Sequence, residues 1–210
     1  KSVFAYEFSK MYGAEGYLNE QNFVDAGKYK KVLKKVEEQR DARLPHEAYL
    51  KHFIIDLQDN VPLWAIVDVL TISDISQLYA ISKKDVRDAV ADDFCLTGNK
   101  RASVLGEFMH SMTIIRNLCA HDSRLFNRLF ERKPSLNKRE KKLLIVKNGG
   151  ELDNAHLYGF VLIMRRLLNQ EEFGCLANQI AQSCKKYPFV RMDYYGFRSD
   201  WAKQLGVKLS

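Results

Sequence analysis

The chain has 210 residues, 46% of them hydrophobic and 28% charged, which suits one sizeable domain with a real core and a soluble surface. Its 33 Lys and Arg against 26 Asp and Glu leave a formal charge of +7, an excess that favours an anionic partner, nucleic acid first. No apolar run approaches the roughly 18 residues a membrane span needs, and the opening KSVFAYEFSK is already amphipathic with no signal-peptide pattern, so a cytoplasmic protein without a membrane partner is expected.

Helical spacing dominates from the start. In Val3 to Met11 apolar residues recur at Phe4, Phe8 and Met11, and the G-A-E-G-Y stretch then breaks the pattern. A helix is predicted from Val24 to Arg43, with Tyr29, Val32, Leu33 and Val36 inward and Lys28, Lys30, Lys31, Lys34 and Lys35 on its other faces, ended by Pro45. Its interspersed Glu37, Glu38 and Asp41 favour a solvated face over membrane-surface binding. A third helix, His46 to about Asp59, would bury Tyr49, Phe53 and Leu57.

Pro62 stands where a first helical residue should be, ahead of the apolar PLWAIVDVL. Ser73 opens a short helical turn. Ser82 to Asp85 resembles a capping box before a helix from Val86 to Phe94, and Gly98-Asn99 breaks the chain. A long helix is predicted from about Ala102 to Glu131. Beyond it lies a basic loop, ERKPSLNKREKKLLIVKNGG, in which Leu143 to Val146 could form a strand but lacks a visible partner. Asp153 can cap a helix through Asn169, a last helix runs from about Gln170 to Lys186, and Pro188 stops it. The tail RMDYYGFRSDWAKQLG is aromatic, and Tyr194, Tyr195 and Phe197 suit base stacking or, more commonly, packing. The reading is an all-α helical bundle forming a single domain over 1–210.

The 4 cysteines, Cys95, Cys119, Cys175 and Cys184, form no C-x-x-C pair, and reduced, structurally buried thiols are expected. The 5 histidines form no H-x-x-x-H or H-E-x-x-H, so neither a metal site nor a cofactor is predicted.

The long helix carries the most chemistry. On a wheel of about 100° per residue, Phe108, Met112, Ile114, Ile115, Leu118, Cys119, Leu125, Phe126 and Leu129 form a core face. Opposite lie His110, Thr113, Asn117, His121, Arg124 and Arg128, in a stripe about 80° wide. A solvated face ordinarily mixes in carboxylates, and this one has none. Cleavage of RNA through its own 2′-hydroxyl needs a base for that proton, an acid for the leaving 5′-oxygen and positive charge at the phosphoryl oxygens. Histidine can serve as base or acid, arginine offers a fork matching phosphate, and Asn117, four residues before His121, can orient the imidazole or the phosphate. Arg116 falls about 140° from His121. Either the helix bends, the arginine wraps around, or a second protomer completes the site.

Arg116-Asn117-Leu118-Cys119-Ala120-His121 matches the HEPN ribonuclease motif of arginine, a polar residue, three variable residues and histidine. Its extension to RNLCAHDSRLFNR, through Arg128, resembles the abortive-infection (Abi) branch of the HEPN proteins. VPLWAIVDVLTISDISQLY, Val61 to Tyr79, resembles that family's Pro-Leu-Trp helix, and YYGFRSDWAKQL, Tyr194 to Leu205, its Gly-Phe…Trp ending. FAYEFSKMYGAEGYLN fits the end of the family's first third, so the resemblance covers most of the chain and upstream helices of the family are expected to be missing. Asp122 stands where members commonly have a second histidine, and Asp68 where Glu is common.

The resemblance implies a HEPN-like helical bundle that dimerises and joins two copies of the motif in one composite site, cutting RNA without metal in phage defence. It assigns catalysis to Arg116, Asn117 and His121. Arg124, Arg128 and His110 would hold RNA, with an antitoxin or regulatory RNA as a further partner. The alternative is a non-catalytic HEPN-like module that binds RNA or protein, or a helical interaction protein in which Arg116 and His121 merely pack. The intact Arg–Asn–His set favours the enzyme, since phosphate binding alone has no need of histidine.

Overall fold

In the computed structural model, which describes residues 1–208, helices account for 63% of the chain. The only pairing outside helices, among the described residues, is two isolated antiparallel bridges, Phe23 with Ser82 and Val146 with Leu152. The all-α expectation holds. No described helix is long and apolar enough to cross a membrane. The chain resolves into two compact units, Lys1–His110 and Ser111–Ser210.

The first unit begins with α1 (Ser2–Tyr12), α2 (Ala26–Arg43) and the short α3 (Ala48–Lys51), followed by α4 (Leu63–Val69), α5 (Ile72–Ile81) and α6 (Lys84–Asp93). Helix α1 packs on α4 and α6, and α2 on α4 and α5. Phe4, Phe8, Leu63, Ile66, Leu78 and Tyr79 fill the space between them. Tyr79 is buried, yet its hydroxyl donates to the carbonyls of Ala102 at 2.8 Å and Arg87 at 3.0 Å, which removes the cost of an unsatisfied polar group. Burial raises its pKa.

Local chemistry sets most boundaries. Asp25 caps α2 by accepting from the Lys28 amide at 2.9 Å. The expected third helix is instead one turn of α3 and a π-turn over His52–Asp56, closed by Leu57 N–H to the His52 carbonyl at 2.9 Å. Leu50 is its buried residue, while Leu57 is exposed, because the wider turn rotates the later positions off the core. Ser82 and Asp85 make no capping box: the Ser82 hydroxyl donates to Leu78 O at 2.7 Å and is buried, and α6 starts without a side-chain cap. The capping box lies earlier, between Thr71 and Asp74 at the start of α5.

The second unit holds the end of α7 (Arg101–Ala120), then α8 (Lys138–Lys141), α9 (Leu157–Leu167), α10 (Gln170–Lys186) and α11 (Trp201–Leu205). Its core joins Ile115, Phe130 and Phe160, with Met112, Leu118, Leu125 and Met164 against them. The rings of Phe130 and Phe160 lie 4.5 Å apart. Val146 finds its partner in Leu152 across a hairpin whose Gly149 and Gly150 have φ of 89° and 83°, the left-handed region glycine enters freely. Asp153 does not cap α9, whose N-cap is His156 with no side-chain bond.

Candidate functional site

Helix α7 ends at Ala120, not near Glu131. Asp122 takes a left-handed φ of 49°, a conformation that Asp and Asn tolerate better than other side chains. The Ser123 amide bonds back to Leu118 O at 2.9 Å and the Asp122 amide to Cys119 O at 3.3 Å. That pair of bonds is the Schellman arrangement with aspartate in the usual glycine place, and it satisfies carbonyls the helix end would leave open. His121 is therefore the residue on which the helix stops, its own amide still reaching Asn117 O at 3.1 Å.

From Asp122 to Phe130 the chain runs irregularly, with a second left-handed residue at Asn127 (φ 49°) and an Arg128 N–H to Leu125 O bond of 3.2 Å. Apolar anchoring explains the path. Leu125 and Phe130 turn into the Phe160 cluster, and the Phe130 amide donates to Ala155 O at 2.7 Å. Phe126 sits against Tyr194 at 5.1 Å and Tyr195 at 5.8 Å. Those two tyrosines thus pack, as does Phe197, which is buried between Tyr158 and Trp201.

The expected core face and polar stripe are only partly realised, because a wheel applies no further than Ala120. Phe108 and Ile115 are buried, but Cys119 and Leu129 are exposed, and Phe126 is 41% exposed. Cys95 and Cys175 are exposed as well, and Cys184 is half-buried, so the expectation of buried thiols is corrected. On the stripe Thr113 is buried, and His110, Asn117, His121 and Arg124 are exposed, with Arg128 half-buried. His110 belongs to the first unit and the others to the second.

Two of the candidate groups meet on the last turn of α7. The Arg116 guanidinium donates through Nη1 to Asn117 Oδ1 at 3.1 Å, so the arginine is turned around the helix toward the residue that lies one turn before His121. Arg116, Asn117 and His121 are all exposed. Arg128 Nη1 reaches the Arg124 carbonyl oxygen at 3.5 Å, and Arg124 is exposed. Among the described residues no group of three or more His, Cys, Asp or Glu side chains gathers as a metal-ligand set. The last turn of α7 offers a positive fork bonded to an amide, and an exposed imidazole stands at the helix stop.

A second polar cluster was not foreseen. The buried Asp153 carboxylate accepts from His156 Nδ1 at 2.8 Å on both oxygens, and from Lys147 Nζ at 3.1 Å. Burial pushes the Asp153 carboxyl up, but the bonds from His156 and Lys147 outweigh it and its pKa is lowered. The D-x-x-H spacing was the visible signal, since three residues is the reach of such a pair. Gly196 completes the wall: a side chain there would meet His156 Cβ at 2.8 Å.

The sequence profile of the Abi-like protein family matches residues 1–127. The match takes in the whole of α7, the Arg116 to His121 stretch and Arg124. Arg128 and the Gly-Phe…Trp ending lie beyond it. No curated protein and no solved structure matches the chain. With 127 of its 210 residues matched, the chain belongs to the Abi-like protein family.

Proposed function

We propose that this chain is a metal-independent endoribonuclease of an abortive-infection system, of the HEPN type, working through Arg116, Asn117 and His121. The observation that carries the reading is the exposed Arg116–Asn117 pair at 3.1 Å on the last turn of α7, with His121 exposed at that helix end. In such a reaction the 2′-hydroxyl of RNA attacks the adjacent phosphorus and the bond to the 5′-oxygen breaks. His121 moves a proton at one of those oxygens. Arg116 lies against the non-bridging oxygens, where charge develops. Asn117 holds the guanidinium in place. Arg124 and Arg128 contact flanking phosphates, and His110, in the first unit, is a separate candidate RNA contact. The metal-free form follows from this residue set, which supplies both proton transfer and positive charge. As in the family it resembles, the working unit would be a homodimer with a composite site, restrained by an antitoxin or regulatory RNA.

Incubation with end-labelled RNA in EDTA tests the reading. The wild type should cut and leave a 2′,3′-cyclic phosphate, and Arg116→Ala and His121→Ala should each lose at least about 100-fold. Both variants should fold, since neither side chain is buried. Activity that disappears in EDTA and returns with a divalent ion refutes the metal-free reaction. Tight RNA binding without cleavage supports the non-catalytic module instead.

A further inference from the structure

The connection between Phe130 and the hairpin is read from sequence only as a basic loop. Its structure sorts the charges. Asn137 and Glu140 form a capping box around α8: the Asn137 side chain accepts from the Arg139 and Glu140 amides at 2.9 Å, and Glu140 Oε2 accepts from the Asn137 amide at 2.7 Å. Glu140 is buried by this arrangement and faces Arg166 at 3.6 Å. The one acid within KREKK is thereby turned inward. At about 100° per residue, Lys138, Arg139, Lys141 and Lys142 fall within an outward arc of about 160°, centred opposite Glu140. All four are exposed, and none makes an ion pair among the described residues. Lys133, by contrast, is neutralised by Glu151 at 3.4 Å.

We propose that this turn, Lys138 to Lys142, is a docking surface for the phosphate backbone of single-stranded RNA. Four like charges held together within five residues repel one another, and the capping box fixes them there. That arrangement is worth its electrostatic cost to a polyanion, whose counterions are released on contact. A membrane surface fits less well. An interfacial helix needs an apolar face beside its cations, and here Leu136 and Leu144 are buried and Leu143, next to Lys142, is half-buried. The turn lies outside the residues matched by the family profile. The proposal rests on the ribonuclease reading only for the identity of the polyanion.

The test measures binding rather than cleavage. A fluorescein-labelled oligouridine is titrated by anisotropy over a salt series with the full chain carrying His121→Ala, so that substrate survives. On that background, replacing Lys138, Arg139, Lys141 and Lys142 by Gln should weaken binding at least about tenfold and flatten the slope of log affinity against log salt by up to about 2.8, about 0.7 per contact. The matched control replaces Lys30, Lys31, Lys34 and Lys35 on α2, which removes the same charge and should change the slope by less than half as much. A double variant at Lys138 and Arg139 gives a milder check should the quadruple variant fold poorly, with about half the slope change. An unchanged slope in both variants overturns the proposal. So does an equal effect from the α2 control, which would mean that only net charge matters. Binding to phosphatidylserine vesicles with none to RNA overturns it too. Cleavage by the chain with His121 intact, alongside an unchanged slope, leaves the ribonuclease reading standing, and a flattened slope where the His121 chain never cuts leaves the docking surface standing.

Discussion

Asn117 is bonded to Arg116 through its side chain and to His121 through its backbone: Oδ1 accepts from the guanidinium at 3.1 Å and the carbonyl accepts from the His121 amide at 3.1 Å. One residue thus fixes the arginine fork and the place where the helix delivers its histidine. Replacing Asn117 by Leu removes the first bond and keeps the second. RNA cleavage should fall about tenfold, the equivalent of one hydrogen bond to a charged group, mainly in kcat. Thermal stability should stay within about 0.5 kcal/mol, as for other exposed positions. An unchanged kcat would show that the arginine needs no such support.

The composite site makes a separate prediction. Homodimers of Arg116→Ala and of His121→Ala should each be inactive, and co-refolding them in equal amounts should restore about a quarter of the wild-type rate. Half the dimers are then mixed, and each mixed dimer keeps one intact arginine–histidine pair across the two-fold. A site contained within one chain recovers nothing. Light scattering should find a dimer at the assay concentration.

The helix stop at Asp122 is a matter of backbone energy. A left-handed residue costs a non-glycine side chain roughly 1–2 kcal/mol, and the cost is greater for a branched one. Asp122→Gly should therefore stabilise the protein by about 0.5–1 kcal/mol, and Asp122→Val should destabilise it by at least about 1 kcal/mol, both read from urea midpoints. Equal midpoints for the two variants would mean that the turn is not held in solution.

Acid should find the second cluster. Folding holds the Asp153 carboxyl below its ordinary value of 3.8. The stability this contributes is fully present above that value and is lost as pH falls through the lowered folded pKa. Asp153→Asn should cost about 2 kcal/mol at neutral pH, where a buried partner of His156 and Lys147 is weakened. The gap between wild type and variant should close as the pH drops below about 4. Parallel stability curves down to the lowest pH would exclude the linkage.

Much of the fold was legible because its signals are local. Helix α10 begins where Asn169 and Glu172 form a capping box, and ends at the expected Lys186. The lysine-rich α2 shows its inward stripe of Tyr29, Val32 and Val36 plainly. The end of α7 was hidden because Asp122 does a glycine's task, and no glycine or proline intervenes before Pro134. Nothing local says that Leu125 and Phe130 will leave the helix for the Phe160 cluster; that is decided by partners about 30 residues further along the chain. For the site, residue types were legible and their setting was not. The stripe predicted on one helix is divided, with Asn117 on its last turn, His121 at its stop and Arg124 and Arg128 on the irregular stretch beyond. The four cations between Lys138 and Lys142 were visible, but the inward turn of Glu140 depends on Arg166, which belongs to a later helix.

The irregular stretch after α7 also sets a gradient of protection against solvent exchange. Among the described residues, the amides of Arg124, Leu125, Phe126, Asn127 and Leu129 donate to no backbone carbonyl, whereas that of Phe130 is held by Ala155 at 2.7 Å. The first group should trade its protons for deuterium almost as fast as an unfolded peptide, because no bond must open. Phe130, with its ring in the core, should exchange orders of magnitude more slowly. Between the two lies the distance over which a bound RNA could impose order on the chain without disturbing the helix before it or the core behind it.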